Sequence, residues 1–112
     1  MSFALTEQQL LDGSKTVTRR LGWRDLQVGQ TLTAVRKCMG IPKGGKQESL
    51  GIIEVTEVRR ERLDSIGQAD VVAEGFPEMD PAAFVDFFRK AMRCTPDTEV
   101  TVIGFKLVRT FE

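Results

Sequence analysis

Gly13-Ser14-Lys15-Thr16-Val17-Thr18-Arg19-Arg20 concentrates groups that can touch an anion or a base edge. Lys15, Arg19 and Arg20 are cations, Thr16 and Thr18 carry hydroxyls that donate and accept, and Gly13 lets the backbone turn or approach a ligand closely. No acid dilutes that charge. β-Branched Thr16, Val17 and Thr18 favour an extended chain, so the same residues also suit a solvated basic edge strand, whose Lys and Arg would blunt its pairing with other chains.

The segments on either side give this stretch its setting. Upstream, Leu5-Thr6-Glu7-Gln8-Gln9-Leu10 predicts a short helix, with Thr6 as its cap, Gln9 reaching back and Leu5 packing on Leu10. Gly13 is placed to end it in a left-handed turn, after which Lys15 to Arg20 runs extended. Downstream, Leu21 to Gly29 reads as a loop with the single tryptophan, Trp23, which is either a core plug or a base-stacking platform beside Arg20 and Arg24. Thr31 to Lys37 alternates as a strand. Gly40-Ile41-Pro42-Lys43-Gly44-Gly45-Lys46 then reads as a mobile connection, either a hairpin tip kept soluble by its lysines or a loop that folds over phosphates.

Leu50 to Val58 resumes strand character, and Gly51 marks a bulge or a close approach. Arg59-Arg60-Glu61-Arg62 reads as a solvated charge run. From Leu63 to Phe76 short helical turns point Leu63, Ile66, Val71 and Val72 inward and stop at Gly75. Glu74 therefore faces the negative end of a helix dipole and should seek a cation or hydroxyl elsewhere. Asp80-Pro81 is a strong helix start, cap followed by first-turn proline. Phe84, Phe87 and Phe88 follow as core, and Pro96 ends the segment. Val100 to Val108 forms a last strand buried on both faces. Phe84, Phe88, Ile103 and Phe105 are expected to be buried together.

The chain of 112 residues suits one domain spanning 1–112, long enough to bury a core without staples. Its 41% hydrophobic and 29% charged composition fits a globular protein, with neither disorder nor a membrane span indicated. No basic and apolar leader stands at Met1 to Gln9, so a cytoplasmic location is the expectation. Cys38 and Cys94 stand apart without histidine partners, which argues against a metal site or a disulfide framework, and no cofactor is expected. With no histidine in the chain, any catalysis rests on Lys, Asp, Glu, Thr, Ser or Cys. The formal charge is zero but lopsided: residues 1–46 hold eight Lys or Arg against three acids, and residues 47–112 hold eight against thirteen. Such a split suits a phosphate-bearing partner on one face, or two halves that pair with each other.

The order of elements fits an α+β fold, a small, partly closed, mostly antiparallel β-barrel flanked by short helices. The Gly13–Arg20 stretch resembles the GxKxxTxR signature of ASCH domains, relatives of the PUA RNA-binding fold. Ala73-Glu74-Gly75-Phe76 followed by Phe84-Val85-Asp86-Phe87-Phe88 resembles their second signature. The resemblance spans nearly the whole chain and implies a PUA-like barrel whose cleft, lined by the first motif, binds RNA or a modified nucleoside. Lys15, Thr16, Arg19, Arg20, Arg24, Lys37, Lys43 and Lys46 are the expected contacts. One branch of the family deacetylates N4-acetylcytidine, and its catalytic lysine, threonine and glutamate fall on Lys15, Thr18 and Glu74. There Thr18 is the nucleophile, Lys15 its base and Glu74 the completion of the relay. Ribonuclease activity and a protein-binding adaptor are the further alternatives. Side chains alternate along a strand, so Lys15 and Thr18 converge only if Lys15 lies in a turn before it.

Overall fold

The computed structural model describes residues 1–3, 5–36 and 49–111. A short helix α1 (Glu7–Asp12) leads into strand β1 (Val17–Arg20), followed by β2 (Thr31–Val35) and the long β3 (Ser49–Arg62). A 3₁₀ turn (Leu63–Ser65) and helices α2 (Gln68–Ala73) and α3 (Pro81–Met92) then precede β4 (Glu99–Thr110). The strands form one sheet in the order β1-β4-β3-β2, every pairing antiparallel. The sheet stays open, with β1 and β2 at its edges, so the architecture is a compact α+β fold of the partly open barrel kind.

Local stereochemistry sets most boundaries. Asp80 caps α3 by accepting from the Ala83 N–H at 2.7 Å, and Pro81 takes the first turn, where no N–H is needed. Gly13 closes α1 with φ of 83°. Gly51 packs so close to the Arg109 carbonyl of β4 that a Cβ there would collide with it, and the β3–β4 register shifts next to it, between Ile52 and Ile53.

Strand β4 is covered on both sides from Val100 to Phe105, whereas Val108, expected inside, is exposed. Val100 and Val102 pack with Val17, Leu63, Val71, Phe84 and Phe88 under α2 and α3. Phe105 joins Phe3, Leu10, Ala34, Leu50 and Ile53, while Ile103 sits with Leu26 and Val55. Phe84, Phe88, Ile103 and Phe105 are thus all buried, but Phe84 and Phe88 share the layer of Val100 and Val102, whereas Ile103 and Phe105, on the other side of β4, fall in two further clusters.

Other expectations are corrected. Arg59–Arg62 is no solvated run but the end of β3, paired with β4. There Arg60 bonds Glu99 at 3.0 Å, and Arg59 bonds Asp70 at 2.8 Å. Trp23 is not a core plug: it is 42% exposed and holds a left-handed backbone, φ 55°. The staple before α1 does not form, since Leu5 is exposed and Phe3 fills the space against Leu10. Thr6 starts α1 without a side-chain cap bond, and Gln9 instead donates to the Gly75 carbonyl. Strand β2 stops at Val35, short of the expected Lys37. The glycine-lysine connection lies outside the described residues, as does Cys38. Among the described residues no helix is long and apolar enough to cross a membrane.

Candidate functional site

The turn after α1 decides where the motif points. Past Gly13, the Ser14 N–H donates to Asp12 Oδ1 at 2.8 Å, the Lys15 N–H to the Gln9 carbonyl at 3.0 Å, and the Thr16 N–H to the Ala73 carbonyl at 2.8 Å. Lys15 therefore sits in a turn hooked onto the end of α2, and β1 begins two residues later. The condition for convergence is met, since Lys15 and Thr18 line the same cleft.

The partner of Lys15 comes from the end of α2. Gly75, with φ of 102°, turns the chain while packed against Gln9, and this sets Glu74 in place. Lys15 Nζ donates to Glu74 Oε1 at 2.8 Å and to the Glu74 carbonyl at 2.7 Å. The ammonium thereby neutralises the carboxylate and caps the negative end of the helix, the partner that the position of Glu74 demands. Lys15 and Glu74 are each 4% exposed. Burial pushes the Lys15 amine below its ordinary value. Glu74 opposes that shift by charge and hydrogen bond, and Arg20 and Arg19 add to it.

Thr18 is 3% exposed, and its Oγ1 accepts from Arg20 Nε at 3.1 Å. Arg20 Nη2 also donates to the Ser2 carbonyl at 2.6 Å, and the guanidinium lies over the Phe3 ring, 5.0 Å from its centre. No hydrogen bond joins Lys15 directly to Thr18 among the described residues.

Arg19 is buried by acids that sequence reading passed over. Its Nη2 bonds Glu61 of β3 and, at 2.8 Å, Asp70 Oδ2 of α2, while Nη1 stands 3.7 Å from Glu74 Oε2. For Asp70, burial raises the pKa, but hydrogen bonds and charge from Arg19 and then Arg59 outweigh it, leaving the carboxyl below its ordinary value. Glu61 had the look of a surface charge, and only the pairing of β3 with β4 reveals that it turns toward β1.

The cleft around these groups has a volume of about 310 Å³. Its charged residues are Lys15, Arg19, Arg20 and Glu74, joined by the hydroxyls of Ser2, Thr6 and Thr18, and Phe3, Phe76, Phe84, Phe87 and Phe88 make much of the remaining wall. Such a mixture suits a flat, mostly apolar ligand with a few polar atoms. A larger hollow of about 440 Å³ lies beside α3, but Asp86 and Arg89 within it pair with each other at 2.6 Å and leave it without reactive chemistry. Of the expected contacts, Lys15, Arg19 and Arg20 reach the cleft, whereas Thr16 and Arg24 face solvent outside it. Lys37, Lys43 and Lys46 lie outside the described residues. Among those described, no group of His, Cys, Asp or Glu could hold a metal ion.

Neither a family model nor a curated protein matches the sequence. Solved structures do match. A crystal structure of an Enterococcus faecalis protein of the DUF984 family superposes with a TM-score of 0.66 at 18% identity, over 94% of this chain and 71% of that one. The crystal structure of an ASCH domain from Lactobacillus crispatus superposes with a TM-score of 0.61 at 22% identity, again over 94% of this chain and 71% of the other. At these identities the likeness carries the fold: the chain is folded as an ASCH domain.

Proposed function

On the scaffold of an ASCH fold, we propose that the cleft takes a single modified nucleoside and hydrolyses an acyl amide on its base, with N4-acetylcytidine the substrate implied by the motif resemblance. One observation carries this reading: Glu74, distant in sequence from Lys15 and Thr18, is buried with them around one cleft, with Lys15 bonded to Glu74. The cleft's size and aromatic wall support a ligand of one base and sugar rather than a strand. The pairing of Arg19 Nη2 with Glu61 and Asp70 weighs against Arg19 as a phosphate contact.

The chemistry needs no histidine. A lysine kept out of water gives up its proton more readily than one in solvent, and the burial of Lys15 shifts it in the direction that a general base needs. Glu74 first takes one proton from the Lys15 ammonium it is bonded to, and the neutral amine then takes the Thr18 proton as Oγ1 attacks the acetyl carbon. Arg20, already bonded to Oγ1, favours the developing alkoxide. The bond to N4 then breaks, and Lys15 returns the proton to the departing nitrogen. Water cleaves the acetyl-threonine ester, which releases acetate and restores Thr18. The lysine head must turn from Glu74 toward Thr18, or one water must bridge them, for the transfer from Thr18.

Acetate release from N4-acetylcytidine tests the proposal. Lys15→Ala and Thr18→Ala should each lower kcat/KM by about 100-fold or more, in line with the loss of a base or nucleophile. Equal rates in wild type and both variants would overturn the roles. A second reading, binding of a longer RNA beside the cleft, is favoured by the exposed loop that carries Trp23 and Arg24.

A further inference from the structure

Arg19 poses a problem that its ion pairs do not solve. Its Nε and Nη1, together with Glu74 Oε2, are buried and have no hydrogen-bond partner among the described residues. A buried polar atom without a partner is costly, and here donor and acceptor face each other across 3.7 Å. The charges around them alternate in sign through the molecule. Arg59 of β3 bonds Asp70 of α2 at 2.8 Å, and Asp70 and Glu61 bond Arg19 of β1. Arg19 faces Glu74, and Glu74 bonds Lys15. Arg20 is the remaining charged neighbour of Lys15.

We propose that Arg19 is a positioning residue for the Lys15–Glu74 pair. Its guanidinium, anchored on Glu61 and Asp70, offers Glu74 a second cation, so a carboxylate shift of less than the 3.7 Å gap exchanges Lys15 for Arg19 and leaves the amine held by the Glu74 carbonyl alone, from which it can turn toward Thr18. Its positive charge also makes the Lys15 proton easier to remove. The mechanistic meaning rests on the hydrolytic reading above, but the electrostatic coupling does not. Arg19 is not itself a catalytic residue, because it acts through Glu74.

The titration midpoint of Lys15 measures the coupling without any substrate. It is followed by NMR of isotope-labelled lysine, with the signal assigned by its loss in Lys15→Met. Arg19→Gln should raise the midpoint by about one pH unit or more, the shift expected when a neighbouring cation is removed from a buried amine. Glu61→Gln should lower it, because the acid that offsets Arg19 is gone, and Arg19→Lys should stay near wild type. A residue that merely props up the fold would lower stability and leave the midpoint in place. Unchanged midpoints in Arg19→Gln and Glu61→Gln, or shifts of the same sign in both, would overturn the proposal. If Arg19→Gln does not fold, Glu61→Gln decides alone: a downward shift supports the coupling, and no shift or an upward one removes it. Should the protein release no acetate at all, the hydrolytic reading fails while this measurement still stands. Where it does hydrolyse, the pH at half-maximal kcat/KM should move with the NMR midpoint.

Discussion

Lys15 ties the chemistry of the site to the stability of the fold. Its folded pKa lies below the ordinary lysine value, chiefly through burial, so its protonated form is disfavoured in the folded state. The stability linked to Lys15 is therefore fully present above the unfolded value and is lost as pH falls through the folded one. Wild type should gain stability relative to Lys15→Met as pH rises through the alkaline range toward the free lysine value of about 10. Urea midpoints taken across that range check it, and parallel curves for the two proteins would contradict the buried placement. The lysine was legible as a candidate because no other base stands in the motif. Its pairing was half legible: the dipole argument says that Glu74 wants a cation, but nothing local says which. Arg19 illustrates what was hidden, since reading it as a phosphate contact required that no acid approach it, and Glu61 and Asp70 do so only through the tertiary fold.

Helix α3 carries the aromatic side of the cleft, and its depth of burial makes it a measurable element. Phe88 is 5% exposed and its ring centre lies 6.0 Å from that of Phe84. Phe88→Ala should cost about 3 to 5 kcal/mol through lost transfer energy and the cavity left behind. Phe87→Ala, at a half-buried position, should cost less. Chemical denaturation of both variants settles the comparison, and a Phe88→Ala loss no larger than that of Phe87→Ala would mean that the two faces of α3 are assigned the wrong way round. The start of this helix was readable because Asp80 and Pro81 act on their own backbone. Gly13 and the place where Gly75 stops α2 were readable for the same reason. The end of β3 was not: Arg59 to Arg62 looks like any polar surface until β4 and α2 supply Glu99 and Asp70 as partners. Leu5 and Phe3 were a closer contest. The staple pattern fits Leu5, but backbone bonds from Phe3 to Val35 and from Val35 to Met1 tie the first residues to β2 and bring the Phe3 ring into the core instead.

At the scale of the whole molecule, the excess positive charge of residues 1–46 is partly spent inside, since Lys15 answers Glu74 and Arg19 answers Glu61 and Asp70. The expectation that the two halves of the chain pair with each other holds for these residues. If RNA binds as well, its affinity should fall with rising salt through the solvent-facing cations, and Arg24→Gln should reduce the slope of log affinity against log salt by about one. Filter binding across a salt series measures this, and a slope of zero would exclude phosphate contacts. The sheet order carries a different consequence, in time rather than in space. Strand β1 ends the Gly13–Arg20 motif and is made before the other described strands, yet its strand neighbour is β4, with Val17 against Gly104 and Arg20 against Thr101. The motif must wait until β2, β3 and β4 have all been synthesised before its backbone is paired, and closing so distant a contact is entropically slow. Nascent chains that lack β4 thus carry Lys15 and Thr18 without the strand that pairs β1, and the site comes into being only once β4 has been made.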